Sequence, residues 1–181
     1  MEPDFNFFID QLKKAISRVD QKYIEISIYK LPDNRYRERV YCYELYHQLR
    51  ILLGETYQYN LDGELDKKAH PIFMKYKIEK IPDFIVHHRG DMEDNLAIIE
   101  VKPIKSVNDS LTKLTDDLDK IIDFIEIAEY HYGIMLIYSN GMDLLNDTII
   151  KTFKNRTEEY HNKIFLIWHP GPNLEPEIIT N

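Results

Sequence analysis

Asp83, Glu100 and Lys102 are the residues whose types and spacing point most directly to chemistry. They lie in IPDFIVHHRGDMEDNLAIIEVKP, residues 81–103, where Asp83 opens one apolar run and Glu100 and Lys102 close the next. Side chains two apart on a strand share a face, so Glu100 and Lys102 point the same way, with Leu96 and Ile98 behind them. On the preceding strand Asp83 shares a face with Ile85 and His87. If HRGDMEDN turns the chain into an antiparallel hairpin, the start of the first strand lies beside the end of the second, and Asp83 lands next to Glu100 and Lys102. Two partly buried carboxylates need a proton or a cation between them. A divalent ion supplies that cation, and Mg²⁺ or Mn²⁺ prefers carboxylate, carbonyl and water oxygens. The Val101 carbonyl, between the two charged residues, offers a further oxygen. Lys102 would hold or deprotonate a water, or stabilise charge growing on a phosphate.

The elements that must position this cluster follow from hydrophobic periodicity. Phe5, Phe8, Ile9, Leu12, Ile16 and Val19 recur at helical spacing over residues 4–20. Tyr23 to Tyr29 either extends that helix or forms a short strand. Arg37 to Leu53 reads as a helix with Cys42, Leu45, Leu49, Leu52 and Leu53 on one stripe. Tyr57–Leu61 and Glu64–Lys67 look extended, and Asp83–His88 and Leu96–Val101 are strands. Residues 107–130 are helical. GIMLIY (Gly133–Tyr138) and IFLIW (Ile164–Trp168) are short β-rich runs, with a helix at roughly 141–155 between them. The order α, α, β, β, β, α, β, α, β predicts an α/β layered sheet flanked by helices.

Pro82-Asp83, then sixteen residues, then Glu100-Val101-Lys102 resembles the PD-(D/E)XK motif of the restriction endonuclease-like nuclease superfamily. The resemblance extends to PDFIVHHRG, the short polar hairpin, NLAIIEVKP and the amphipathic helix leading to a Gly-initiated strand. The chain is similar to small stand-alone members in which an R-E-R-like helix entry, here Arg37-Glu38-Arg39, precedes the motif strands. The resemblance implies a restriction endonuclease-like core (α-β-β-β-α-β) over about residues 36–140, a mixed central sheet flanked by helices. Residues 4–30 would form a helical extension, and residues 141–168 a C-terminal helix and strand, within a single domain of residues 1–181. It further implies a metal-dependent nuclease that hydrolyses phosphodiester bonds of DNA, with Asp83, Glu100 and the Val101 carbonyl holding Mg²⁺ or Mn²⁺ and Lys102 acting on the attacking water.

In such relatives an acid on the first core helix completes the metal site. Glu38 matches it best, because at ~100° per residue it falls on the apolar stripe near Leu45 and Leu49, whereas Glu44 sits at the edge. Glu64, in GELDKK, is a further candidate. Pro103 departs from the pattern by ending the strand directly after the lysine. In the resembling nucleases the helix after the motif flanks the site, which would let Lys120 touch a phosphate. The alternative function is a non-catalytic nuclease-like domain acting as a protein-binding or assembly subunit.

Composition bounds these readings. The chain has 181 residues, 44% hydrophobic, and a formal charge of -8, which argues against broad polyanion binding unless basic residues gather locally. Arg35, Arg37 and Arg39, with Lys67, Lys68, Lys75, Lys77 and Lys80, are the candidates for such a track. One cysteine, Cys42, excludes an internal disulfide. The N-terminus lacks the order of a signal peptide, and no apolar run nears the ~20 residues of a membrane span. A cytoplasmic location is expected. DNA is the expected partner, RNA an open alternative, a homodimer an open assembly state, and no membrane is involved.

The remaining features read as packing. His87 and His88 are adjacent strand residues facing opposite ways, so strand-end polar roles are expected in place of zinc binding. His47, His131 and His161 are isolated. The thirteen tyrosines read as amphipathic packing before base stacking. TDDLDK, residues 115–120, reads as a solvated acidic helix face.

Overall fold

The computed structural model describes residues 3–30, 34–64, 81–90 and 94–180. Helix α1 (Pro3–Ile16) and the short α2 (Gln21–Ile24) lead to a small antiparallel pair, β1 (Glu25–Ile26) with β2 (Arg35–Tyr36). The expected helix over 4–20 therefore stops early, and Tyr23–Tyr29 holds both a helical end and a strand. Helix α3 (Glu38–Leu53) follows. The main sheet has six described strands: β3 (Asn60–Gly63), β4 (Phe84–His87), β5 (Asn95–Pro103), β6 (Tyr130–Tyr138), β7 (Ile164–His169) and β8 (Glu177–Ile179). They lie side by side in chain order, antiparallel from β3 to β5, parallel from β5 to β7, and antiparallel again at β8. The protein is thus mixed α/β, with a six-stranded mixed sheet between helical layers.

Alternation along each strand divides the core in two. Ile99 and Val101 of β5, Ile134 and Leu136 of β6 and Phe165 and Ile167 of β7 face α1 and α3, packing on Phe5, Phe8, Leu12, Tyr41 and Leu45. Ile98, Met135, Ile137, Leu166 and Trp168 face the other way, onto α4 (Ile104–Asp109), α5 (Leu111–Ile127) and α6 (Asp147–Arg156). Such alternation is what two helical layers demand of a central sheet. Gly133 lets α5 settle on β6, since a methyl there would overlap Ile121 Cγ2.

Several expected boundaries move, each for a local reason. The 107–130 helix is two helices, because Ser110 is extended (φ -160, ψ 111) between Asp109, where the first ends, and Leu111, where the second begins. Glu129 takes a left-handed φ of 56, which turns the chain so that β6 begins at Tyr130, ahead of Gly133. The 141–155 helix starts only at Asp147, where the Asn146 side chain accepts from the Ile149 N–H as an N-cap. The extended stretch expected at 57–61 and 64–67 is Asn60–Gly63. Glu64 has a positive φ of 45, and residues 65–67 lie outside the described residues. Leu96 packs with the α1–α3 layer and is not behind Ile98, because the β4–β5 register shifts between Val86 and His87. No helix among the described residues is long and apolar enough to cross a membrane.

Candidate active site

The β4–β5 pairing sets the geometry of the motif residues. Phe84 pairs with Ile99 and Ile85 with Ile98, so carrying the register one residue further puts Asp83 opposite Glu100. The strand has given way there, and Asp83 Oδ2 accepts the Val101 N–H at 2.8 Å. The N–H and C=O of one strand residue point to the same side, so the Val101 carbonyl also opens toward the edge beyond β4. Asp83 thereby joins the end of β5 through a side chain where the ladder stops.

Glu100 and Lys102 share the β5 face that looks onto α5. Glu100 is 1% exposed; its Oε2 accepts from Lys120 Nζ at 2.7 Å, and its Oε1 is buried with no hydrogen-bond partner. The ammonium of Lys102 lies 3.0 Å from Glu38 Oε2 and 3.3 Å from Asp117 Oδ2. Lys120 also lies 3.5 Å from Asp117 Oδ1. Five charged side chains on α3, β5 and α5 therefore meet at one sheet end, with Asp83 completing the group from the start of β4.

Burial and charge shift the titrations in opposite senses. Desolvation raises Asp83 to about 6, helped by the nearby Glu38 and restrained by the Val101 N–H, Lys102 and Lys120. Desolvation and the neighbouring Asp83 push Glu100 well above the usual carboxylate range, against the pull of Lys120. Burial alone would lower Lys102, but Asp117, Glu38 and Asp83 outweigh it and raise the ammonium above its ordinary value. Lys102 is thus a fixed positive charge in this arrangement and no proton acceptor.

The other candidate residues stand elsewhere. Glu44 Oε1 accepts from Gln48 Nε2 at 2.7 Å along its own helix and joins no site contact. The Glu64 carboxylate is 3.1 Å from Arg39 Nε, while its backbone N–H donates to the Asp83 carbonyl. Lys120, expected at a phosphate, is engaged by Glu100. The 115–120 segment is not wholly solvated: Asp117 is buried between two lysines. Its spacing carried the signal, since 114, 117, 118 and 121 form one apolar helical stripe and only Asp117 on it is charged.

His87 ends β4 as a polar strand-end residue, as expected, but it is buried. Its Nε2 is 2.9 Å from Asp62 Oδ2, and Arg89 Nε donates to the same oxygen at 2.8 Å. The Arg89 hydrogen bond, with His87 adding to it, overcomes burial and holds Asp62 down at about 2. His88 pairs instead with Asp94 at 3.3 Å, so the two histidines diverge as their strand positions require. Many tyrosines pack in the core as expected: Tyr41 stacks on Tyr138 with ring centroids 3.8 Å apart. Tyr43, 64% exposed, is an exception. Lys67, Lys68, Lys75, Lys77 and Lys80 lie outside the described residues.

Among the described residues, no group of three or more His, Cys, Asp or Glu is placed to hold a metal ion. No protein-family model, no curated protein and no solved structure matches the chain.

Proposed function

We propose that this chain is a metal-dependent nuclease of the PD-(D/E)XK type, with a restriction endonuclease-like core, that hydrolyses phosphodiester bonds of DNA. The observation that carries the reading is the meeting of Asp83, Glu100 and Lys102 at the end of β5, with one Glu100 oxygen buried and unpartnered. An orphaned, desolvated carboxylate oxygen is a strong acceptor awaiting a cation. Two carboxylates and the Val101 carbonyl are the hard donors that suit Mg²⁺ or Mn²⁺, and Mg²⁺ is commonly held by one or two carboxylates with waters completing its shell. A third protein acid is therefore unnecessary.

Bound there, the ion supplies Lewis acidity, lowering the pKa of a coordinated water and taking up phosphate charge. The chain's own residues do the rest. Asp83 is oriented by the Val101 N–H. Lys102, gripped by Glu38 and Asp117, holds a positive charge fixed where negative charge grows on the phosphoryl oxygens. Glu38 serves here by orienting Lys102.

The alternative of a non-catalytic nuclease-like subunit has one observation in its favour: both lysines are already paired with carboxylates, so neither offers a free charge to a phosphate as it stands. Cleavage assays separate the readings. Linear, circular and branched DNA, double- and single-stranded, should be cut with Mg²⁺ or Mn²⁺. Lys102→Ala should lose cleavage by about 100-fold or more while retaining its fold and much of its metal binding. Wild type inert on every substrate would sink the catalytic reading.

A further inference from the structure

Beside the cluster, a groove of about 520 Å³ runs between β2, the first turn of α3 and the α4–α5 corner. We propose that this groove seats the phosphodiester backbone of the DNA strand on one side of the scissile bond. The inference rests on the nuclease reading for what happens at the groove's end, and it explains how an acidic chain holds a polyanion.

The groove concentrates positive charge that the chain as a whole lacks. The protein carries 23 Lys and Arg against 31 Asp and Glu, yet Arg35, Arg37, Lys105 and Lys113 all line this one surface. Arg35 and Arg37 are two apart on extended backbone, which turns both side chains to one side. Lys105 and Lys113 come from α4 and α5 across the groove. Arg35, Arg37 and Lys105 are exposed and form no ion pair with a described residue, while Lys113 donates only to Ser106 Oγ at 3.1 Å. The acids on the same surface are Glu25, Asp109 and Glu38. Glu38 is committed to Lys102, which makes it the junction between groove and cluster.

The opposite approach to the cluster offers phosphates no unpaired cation among the described residues. There, a cavity of about 310 Å³ is lined by Asp62, Glu64 and Asp83 with Tyr43, Tyr46 and Phe84, and no cation lines it among the described residues. Arg39, which sequence alone groups with Arg35 and Arg37, is paired with Glu64 on that side. On that side Arg39 and Arg89 are already engaged by Glu64 and Asp62, whereas a strand entering between Arg35, Arg37 and Lys105 gains a contact with each phosphate it places there.

The test is fluorescence anisotropy with the full chain, in EDTA to suppress cleavage, using short labelled DNA and RNA of one sequence. The triple variant Arg35→Ala, Arg37→Ala, Lys105→Ala should bind DNA about tenfold more weakly or worse at low salt. Its log–log salt slope should be shallower by about 0.9 on duplex, and about 0.7 on single strands, for each phosphate that the variant leaves unneutralised. The control Lys151→Ala, Lys154→Ala, Lys163→Ala, exposed cations outside the groove, should match wild type. Melting curves verify folding, and a glutamine triple variant that keeps more of each stem replaces the alanine one if it melts early. Wild-type affinity and slope in the groove variant would overturn the proposal.

Cleavage run in parallel keeps the two claims apart. Groove-dependent binding by a wild type that never cuts leaves the track standing and removes the nuclease. Cutting by the groove variant at wild-type KM does the reverse. Tighter, groove-dependent binding of RNA preserves the track and moves the substrate to RNA.

Discussion

Asp83 holds its proton up to about pH 6 in the folded chain, against an ordinary value of 3.8, because its carboxyl is mostly desolvated. The folded state therefore binds that proton more tightly than the unfolded state. Its contribution to stability is greatest below pH 3.8 and is lost as the pH rises through about 6. In metal-free protein at pH 8, the ionised carboxylate costs up to about 3 kcal/mol. Asp83→Asn, which keeps an oxygen for the Val101 N–H, should then raise the metal-free melting temperature at pH 8 by several degrees and leave it nearly unchanged near pH 4. Equal melting temperatures for wild type and variant at both values would show that Asp83 bears no such load. Asp83, Glu100 and Lys102 were legible as one cluster, since strand alternation and a hairpin suffice to bring them together. Asp117 was not, because a run of acids on a helix reads as solvated until one of them is counted onto the apolar stripe.

At the scale of elements, the cluster depends on α5 lying close against β6, so that Asp117 and Lys120 reach the charges on β5. Gly133 permits that approach. Gly133→Ala should cost about 1–3 kcal/mol by forcing Ile121 aside, read as a lower denaturation midpoint, with cleavage reduced as the α5 lysine and aspartate shift. An unchanged midpoint would mean that α5 repacks freely. Helix α3, the β4–β5 hairpin and strands β6 and β7 were readable from periodicity because each carries a long, regular apolar pattern. The break at Ser110 and the late start of α6 were not. The first rests on one extended residue and the second on the Asn146 side-chain cap, and neither leaves a mark on the hydrophobic pattern. The register shift at Val86–His87, which moves Leu96 to the other layer, is equally invisible to strict alternation.

Across the whole molecule, a mixed six-stranded sheet between two helical layers collects its ionisable groups where β5 ends, between a basic groove and an acidic cavity. Composition read as a sum gave only an acidic protein; the layering separates the charges into two surfaces that flank the cluster, one reaching it at Glu38 and the other at Asp83. The central claim is that this cluster binds a divalent ion, and the most direct measurement is a Mn²⁺ titration followed by melting temperature in wild type and Asp83→Asn. A ligand that binds only the folded state stabilises it by mass action, and binding that displaces protons weakens at lower pH. The expected result is saturable stabilisation of wild type, corresponding to one site per chain, weaker below about pH 6 and absent in the variant. Equal stabilisation of both proteins by Mn²⁺, or none of either, would contradict the account.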